Sequence, residues 1–426
     1  MRARWSCEHD GHVDNLCLPS TSQPSPPAGE PKPFPGQPNP LTVLTLADLR
    51  RRRSLKWRAY HPNVLPLWVA EMDTLLAPAI REALAEAVAG GDTGYAVSAD
   101  PTGVVEAFAE FMAQRHGTSV EPAACTLVPD VLRGIGAVLS QLTGGGEGVL
   151  INPPVYHPFF SYIRFAGRRV VESPLVPDPT GRWGLDLDRL EADLARPEVT
   201  SYLLCNPHNP TGTVFGRSEL LAIAGLAERH GVRMLVDEIH GPLVYPGGTF
   251  TPFLSLAGES AAAASAIVFT SASKAWNLPG LVAGLMVAGP DARGDVVSVP
   301  APAIRGVGHF GVIAAEAAFR GGGAWLDALI EGLDANRKLL GSLLAAELPE
   351  IRYRAPDATY LAWLDCRELG FADPAAEFLR RGVAVNSGDM FGRQGSGHVR
   401  LNIATSPEIL AKAVRRMSTD QGVDLD

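Results

Sequence analysis

Three apolar, strand-like runs in the middle of the chain each lead into a polar side chain, and this arrangement constrains the fold more than any other feature. One run precedes Lys274, a second ends in Asp237, and a third leads into a turn cluster that contains Asn209. In an open α/β sheet, ligands bind at the carboxyl ends of the strands. The sequence therefore predicts that an amine, a carboxylate and an amide meet at one edge of a sheet.

The surrounding sequence alternates between helical and strand-like patterns. Residues 104–117 carry apolar side chains at helical spacing, whereas residues 199–206 form an apolar run typical of a buried strand. Gly117 and Gly231 each follow an Arg-His pair, a position where helices typically end. The alternation between about residues 80 and 300 predicts a parallel or mixed sheet with helices on both sides.

Composition limits the class of protein. The chain has 426 residues, of which 46% are hydrophobic, and a formal net charge of −9 with acids and bases mixed, which argues against a broad nucleic-acid-binding face. The basic cluster 50–53, with Lys56 and Arg58, is interpreted as a solvated helix face. Five scattered cysteines indicate a reducing compartment, and no apolar signal core or membrane-length apolar run is found, so we predict a cytoplasmic protein.

Lys274, Asp237 and Asn209 together match the needs of pyridoxal 5′-phosphate. An amine can form a Schiff base with this cofactor, a buried carboxylate can keep its pyridine nitrogen protonated, and an amide can donate to its phenolic oxygen. Each motif alone has an ordinary interpretation as a turn, a helix start or a short string found in many proteins. Their order and spacing together favour the cofactor.

A phosphate group also needs hydrogen-bond donors. Ser271 and Ser273 flank the lysine with hydroxyl groups. The helical segment that begins at Val131 and Leu132 offers its first backbone amides to an anion. We therefore predict that these four residues bind the cofactor phosphate.

The strings NPHNPTG, DEIHGPL, SASKAWNLPGL and HVRLNIA resemble the fold-type I, class I/II aminotransferase superfamily of pyridoxal-phosphate enzymes. Within it, LPLWVAEMD, PPVYHPFF and TYLAWLDCRELG are similar to the cystathionine β-lyase or cysteine-S-conjugate β-lyase branch that includes the MalY and PatB proteins. The match runs from about Leu46 to Met417. The resemblance implies an α/β fold with a mostly parallel seven-stranded sheet in a large domain, plus a small α+β domain.

Four segments are expected along the chain. Residues 1–40 are rich in proline and serine and are predicted to be a disordered extension, whose two cysteines and two histidines match no common zinc-finger spacing, so that no metal site is expected. Residues 41–75 are expected to pack with the small domain. Residues 76–320 are assigned to the large cofactor-binding domain and residues 321–420 to the small domain.

The resemblance also implies residue roles. Lys274 would be the Schiff-base lysine, Asp237 the partner of the pyridine nitrogen and Asn209 the donor to the phenolic oxygen. Tyr156 would stack on the pyridine ring. His240 stands where many aminotransferases have a tyrosine beside the phenolic oxygen, and the DEIH string is shared with the lyase branch.

Further implied roles concern the substrate and a second subunit. Arg400 would clamp the substrate α-carboxylate through a bidentate pair, with Ala70 also at the substrate. Tyr95 would reach the phosphate bound in the neighbouring subunit, which implies a homodimer with shared sites. Val282 is a departure, because many relatives have a basic residue for the phosphate at this position.

The branch-level resemblance implies a β-lyase that cleaves cystathionine or related cysteine S-conjugates to a thiol, pyruvate and ammonia. An aminotransferase would use the same residues and is the alternative. A regulatory protein that binds a transcription factor is a second alternative. The substituent eliminated from Cβ stays open at this point.

Overall fold

The computed structural model describes residues 38–97, 102–419 and 422, so most of the predicted disordered extension, including its cysteines and histidines, lies outside the described residues. The strands of the described part are β1 (Leu65–Pro66), β2 (Cys125–Val128), β3 (Gly148–Ile151), β4 (Arg169–Glu172), β5 (Leu175–Pro177), β6 (Trp183–Leu185), β7 (Val199–Cys205), β8 (Arg233–Asp237), β9 (Ile267–Thr270), β10 (Gly284–Ala288), β11 (Arg352–Tyr353), β12 (Leu361–Asp365), β13 (Val383–Ala384), β14 (Asn386–Ser387) and β15 (His398–Asn402).

The helices of the same residues are α1 (Leu46–Arg50), α2 (Leu55–Arg58), α3 (Pro78–Ala89), α4 (Thr102–His116), α5 (Val131–Leu142), α6 (Pro158–Phe165), α7 (Leu187–Leu194), α8 (Arg217–Arg229), α9 (Ala261–Ala264), α10 (Ala272–Ala275), α11 (Arg293–Ser298), α12 (His309–Gly321), α13 (Gly323–Glu347), α14 (Pro374–Arg380) and α15 (Pro407–Ser418). The helices expected before Gly117 and Gly231 are confirmed, and both glycines have the positive φ that ends a helix without strain.

The central sheet has seven strands in the order β2-β10-β9-β8-β7-β3-β4. Strand β10 runs antiparallel to both of its neighbours, and the other pairs are parallel. The mostly parallel seven-stranded sheet that the resemblance implied is therefore confirmed.

The strands of this sheet are apolar on both faces because helices cover both faces. Leu203 and Leu235 belong to the core cluster formed with α5 and α6, whereas their chain neighbours Leu204 and Val236 belong to the cluster that includes α8. Side chains alternate between the faces of a strand, so a strand buried on both sides is a continuous apolar run. This is the pattern that the sequence shows.

A second sheet is antiparallel, with the order β11-β12-β15-β14. Near the beginning of the described chain, β1 pairs in parallel with β13, so that Leu65 lies opposite Val383. The pairing joins the segment before residue 75 to the carboxyl-terminal part of the chain. The domain boundaries given above stay a prediction.

One expectation about the basic cluster is wrong. Lys56 does not lie on a solvated helix face: its side chain is 0% exposed, and its Nζ lies 2.9 Å from Oδ2 of Asp73, whose side chain is 1% exposed. Trp57 Nε1 donates to the other oxygen of Asp73 at 2.9 Å. The short helix α2 turns one residue of the cluster inward, whereas Arg58 is exposed.

The described residues contain no helix that is long and apolar enough to span a membrane. Within the same part of the chain, no group of three or more His, Cys, Asp or Glu side chains is placed to hold a metal ion.

The buried Lys56–Asp73 pair leads to a stability prediction. Lys56→Met should lower the free energy of unfolding by about 3–5 kcal/mol, because it leaves the Asp73 carboxylate buried without its cation. A further Asp73→Leu change should restore part of the loss, and the exposed Arg58→Met control should change it by about 0.5 kcal/mol or less. Urea unfolding checks this, and equal effects of Lys56→Met and Arg58→Met would contradict it.

Candidate active site

Strands β7, β8 and β9 are neighbours, and their carboxyl ends bring Asn209, Asp237 and Lys274 to one cavity of about 280 Å³. Ten of the predicted site residues line this cavity: Ala70, Val131, Leu132, Tyr156, Asn209, Asp237, His240, Ser271, Ser273 and Lys274. Arg400 is not among the lining residues, but it donates a hydrogen bond to Asn209. Tyr95 does not line the cavity, and its side chain is fully exposed.

Lys274 lies in α10, a helix of one turn. Ser271 caps this helix: its Oγ accepts from the Ser273 backbone N–H at 3.0 Å and donates to the Ala283 carbonyl at 2.7 Å. Lys274 Nζ donates to the Ala70 carbonyl at 3.3 Å. Burial, followed by the nearby positive charge of Arg400, lowers the pKa of Lys274 to about 8. A larger fraction of this amine is thus neutral near pH 8 than for an ordinary lysine.

Asp237 is a buried carboxylate at the end of β8. Its Oδ1 accepts from the Ile239 backbone N–H at 3.0 Å. Burial raises the pKa of Asp237 to about 7, although the Ile239 N–H and Lys274 act in the opposite direction. A buried carboxylate in this position favours a cationic partner, because a charge pair offsets part of the cost of its burial.

Arg400 is a buried cation whose hydrogen-bond acceptors among the described residues are neutral. Its Nη1 donates to Asn209 Oδ1 at 3.0 Å, and its Nη2 donates to Asn386 Oδ1 at 2.7 Å and to the Trp68 carbonyl at 3.1 Å. The guanidinium carbon also lies 4.9 Å from the ring centre of Phe391. Among the described residues it has no carboxylate partner within 4.0 Å. The arrangement suits an anion brought by a ligand.

The bond from Arg400 also orients Asn209. It uses the amide oxygen of Asn209 and leaves the amide NH₂ group for the cavity that this residue lines. His240 lines the same cavity, and burial, followed by Lys274 and Arg400, lowers its pKa to about 3, so the imidazole is neutral. Its Nδ1 is buried and has no hydrogen-bond partner among the described residues.

The beginning of α5 forms one wall of the cavity. The Asp130 carboxylate caps this helix by accepting from the Arg133 N–H at 2.8 Å, and Val131 and Leu132 line the cavity just before that point. The first amides of a helix suit a phosphate. Val282 also lines the cavity, in a left-handed backbone conformation with φ of 59°, and Lys274 is the single lysine or arginine among the lining residues.

Several residues that complete the site were not predicted from the sequence. Asn386 and Phe391 hold Arg400, and the Tyr360 hydroxyl donates to the Ala70 carbonyl at 3.1 Å. Tyr360 belongs to the string TYLAWLDCRELG, which from the sequence indicates only a similarity to the lyase branch. Its position directly before a strand of apolar residues was the available signal.

These features fit pyridoxal 5′-phosphate. The cavity combines a lysine amine with lowered pKa, a buried carboxylate that favours a cation, an amide NH₂ group and helix amides beside the Ser273 hydroxyl; the predicted Ser271 hydroxyl instead donates its proton to the Ala283 carbonyl. These are the groups that the aldehyde, the pyridine nitrogen, the phenolic oxygen and the phosphate of this cofactor require. The fold and the site define a pyridoxal-phosphate-dependent enzyme of fold type I.

Comparison with known proteins supports this class of enzyme. Residues 62–417 match the family described as aminotransferase class I and II, and the chain belongs to this family. It is 48% identical over 407 residues to a Mycobacterium tuberculosis protein named "Putative cystathionine beta-lyase", with 89% of this chain and 97% of that protein covered. It is 35% identical to the cystathionine beta-lyase PatB of Bacillus subtilis, with 83% and 92% covered.

A solved structure shows the same fold. Cystalysin from Treponema denticola, whose crystal structure contains a pyridoxal 5′-phosphate cofactor, superimposes with a TM-score of 0.82 at 26% identity. The comparison covers 90% of this chain and 98% of cystalysin.

The lowered pKa of Lys274 leads to a pH prediction. When pyridoxal phosphate is added to cofactor-free protein, the visible absorption band of the lysine-bound cofactor should form faster as pH rises through about 8 and level off above it, because the neutral amine is the reacting form. Lys274→Ala should form no such band, and the exposed Lys338→Ala control should behave as wild type. A rate that still rises steeply at pH 10 would mean that the amine has an ordinary pKa.

Proposed function

We propose that this chain is a pyridoxal-phosphate-dependent carbon–sulfur β-lyase that cleaves cystathionine or related cysteine S-conjugates to a thiol, pyruvate and ammonia. The observation that carries the proposal is that Arg400, a buried cation with neutral partners, and the Lys274 amine donate to two carbonyls of the same backbone segment, those of Trp68 and Ala70. The first fits the α-carboxylate of an amino acid, and the second is placed to act on its Cα proton.

The relatives support the choice of reaction. The names of the 48% and 35% identical proteins both refer to cystathionine beta-lyase, and a solved C–S lyase from Staphylococcus hominis aligns with a TM-score of 0.81 at 25% identity. Among the curated relatives, a probable N-succinyldiaminopimelate aminotransferase of Mycobacterium tuberculosis is less similar, at 29% identity. β-Elimination is therefore favoured over transamination.

Each side chain then has a task. The bound cofactor supplies a pyridine ring that accepts the electron pair left on the substrate Cα. Asp237 holds a proton at the pyridine nitrogen, Arg400 holds the substrate α-carboxylate, and Lys274 takes the proton from Cα. The Cβ–S bond breaks with its electron pair on sulfur, and the released three-carbon enamine reacts with water to give pyruvate and ammonia.

The reaction type is tested with purified protein, pyridoxal phosphate and L-cystathionine in the absence of a keto acid. Sustained release of both pyruvate and thiol, beyond one equivalent per chain, is expected for a β-lyase. A single half-turnover that leaves pyridoxamine phosphate and restarts when a keto acid is added would instead identify an aminotransferase.

Substitution of Arg400 should weaken amino-acid binding. Arg400→Ala should raise KM by an amount that corresponds to roughly 1.5–3 kcal/mol, because a charge-assisted pair to the substrate carboxylate is lost. Arg367→Ala serves as the matched control, because Arg367 is an exposed arginine that pairs with Asp365 in the same part of the chain. Steady-state kinetics check this, and an unchanged KM in Arg400→Ala would place the carboxylate clamp elsewhere.

We also propose that the enzyme is a homodimer in which Tyr95 completes the partner's phosphate site. The support is that Tyr95 is fully exposed in a single chain, together with Val97 at 61%, and that the described residues that line the cavity include no arginine and no second lysine. An exposed aromatic side chain beside a further apolar one is typical of a contact surface.

Mixing variants tests the shared site. Lys274→Ala chains lack the reacting amine, and Tyr95→Ala chains should bind the cofactor more weakly because a donor to the phosphate is lost. After subunit exchange, a mixed dimer carries both changes in one site and neither in the other, so activity should exceed the mean of the separate variants. Activity equal to that mean, in samples shown to have exchanged, would exclude a shared site.

A further inference from the structure

Residues 67–73, which we call the strap, hold the Ala70 carbonyl at the cavity. Backbone carbonyls from Leu67 to Met72 each accept at least one hydrogen bond, and most of their donors come from distant side chains. The donors are Asn402 N to Leu67, Arg400 to Trp68, Asn402 Nδ2 and the Glu71 backbone N–H to Val69, Lys274 and Tyr360 to Ala70, Asn402 Nδ2 and Lys56 to Glu71, and Arg52 and Asn277 to Met72.

The Ala70 carbonyl is the part of the strap that contacts the reactive lysine amine. It accepts from Lys274 Nζ at 3.3 Å and from the Tyr360 hydroxyl at 3.1 Å. A carbonyl oxygen has two lone pairs, so these two donors occupy its full capacity. Tyr360 is 1% exposed, and burial raises its pKa well above the ordinary value, so its hydroxyl remains a donor across the working pH range.

Backbone strain supports a specific task for Tyr360. Among the described residues other than glycine, three have left-handed backbone conformations: Asn277, Val282 and Thr359. Asn277 holds Met72 of the strap, Val282 lines the cavity, and Thr359 directly precedes Tyr360. Such conformations are costly for β-branched residues, and they persist at sites where the surrounding structure imposes them.

The turn at Thr359 is imposed by fixed partners. Its backbone N–H donates to the Leu243 carbonyl at 3.0 Å, and its carbonyl accepts from the Tyr245 hydroxyl. The turn delivers the Tyr360 ring to a position beside His240, with 6.0 Å between the ring centres. An aromatic residue that served only to fill the core would not need a strained residue before it.

We propose that Tyr360 is a positioning residue for Lys274: its hydroxyl fixes the Ala70 carbonyl, which in turn holds the free lysine amine near the substrate Cα. The proposal rests on the proposed lyase function. With an amino acid bound in the site, the Lys274 amine would be free at the end of a flexible four-carbon chain. A fixed acceptor keeps it within reach of the Cα proton, which is how orientation contributes to rate.

The test compares Tyr360→Phe with Tyr353→Phe in the cofactor-loaded enzyme. Each change removes one hydroxyl that donates to a backbone carbonyl, but Tyr360 donates to Ala70, which lines the cavity, whereas Tyr353 donates to Arg337, which does not. Tyr360→Phe should lower kcat about tenfold while KM stays within roughly twofold, whereas the control should match wild type. The deuterium isotope effect on kcat with Cα-deuterated substrate should increase in Tyr360→Phe, because proton removal by Lys274 becomes slower relative to other steps.

A second readout does not depend on turnover. When pyridoxal phosphate is added to cofactor-free protein, the visible absorption band of the lysine-bound cofactor should form more slowly in Tyr360→Phe than in Tyr353→Phe. A wild-type isotope effect and a wild-type rate of band formation in Tyr360→Phe would overturn the proposal, even if the variant were less stable. Both readouts also apply to an aminotransferase, because removal of the Cα proton by the lysine is common to the two reactions. In that case the assay of pyruvate and thiol would contradict the proposed lyase function without contradicting the role of Tyr360.

Discussion

Burial of charge without an internal counter-ion is the constraint on which this site depends. Arg400 is buried against neutral acceptors, and Asp237 is buried with no ion pair among the described residues. Isolated buried charges are costly, and the cost is reduced when partners arrive. A substrate carboxylate suits the first and a pyridinium nitrogen suits the second, so the chain is complementary to an amino acid and its cofactor together.

Ligands bind at the carboxyl ends of the strands in an open α/β sheet, and this explains why the central part of the site could be predicted from the sequence. Asn209, Asp237 and Lys274 each follow an apolar run, and parallel neighbouring strands place their carboxyl ends at one edge whatever their exact order. Ser271 and Ser273 are then placed by local geometry, because they belong to the same turn as the lysine. These assignments needed only patterns of a few residues.

Residues that depend on long-range contacts were beyond such patterns. Tyr360 meets Ala70 across 290 positions and Arg400 meets Trp68 across 332, and no periodicity or motif spacing encodes either contact. For Lys56, a pattern was present but led to a wrong prediction. A run of basic residues is usually solvated, but one of them can be buried where the fold supplies a carboxylate, here Asp73.

The strap connects the proposed substrate clamp, Arg400, with the proposed base, Lys274. Arg400 donates to the Trp68 carbonyl and Lys274 to the Ala70 carbonyl, two residues further along the same segment, while Arg400 also fixes Asn209. In the proposed function, a carboxylate bound at Arg400 would contact a guanidinium that is also hydrogen-bonded to Asn209, the proposed donor to the cofactor, and to Trp68, in the segment that accepts from the Lys274 amine. Because these groups share one backbone segment, an amino acid that binds Arg400 as proposed would have its Cα placed relative to Lys274 by the same contacts that hold the site together.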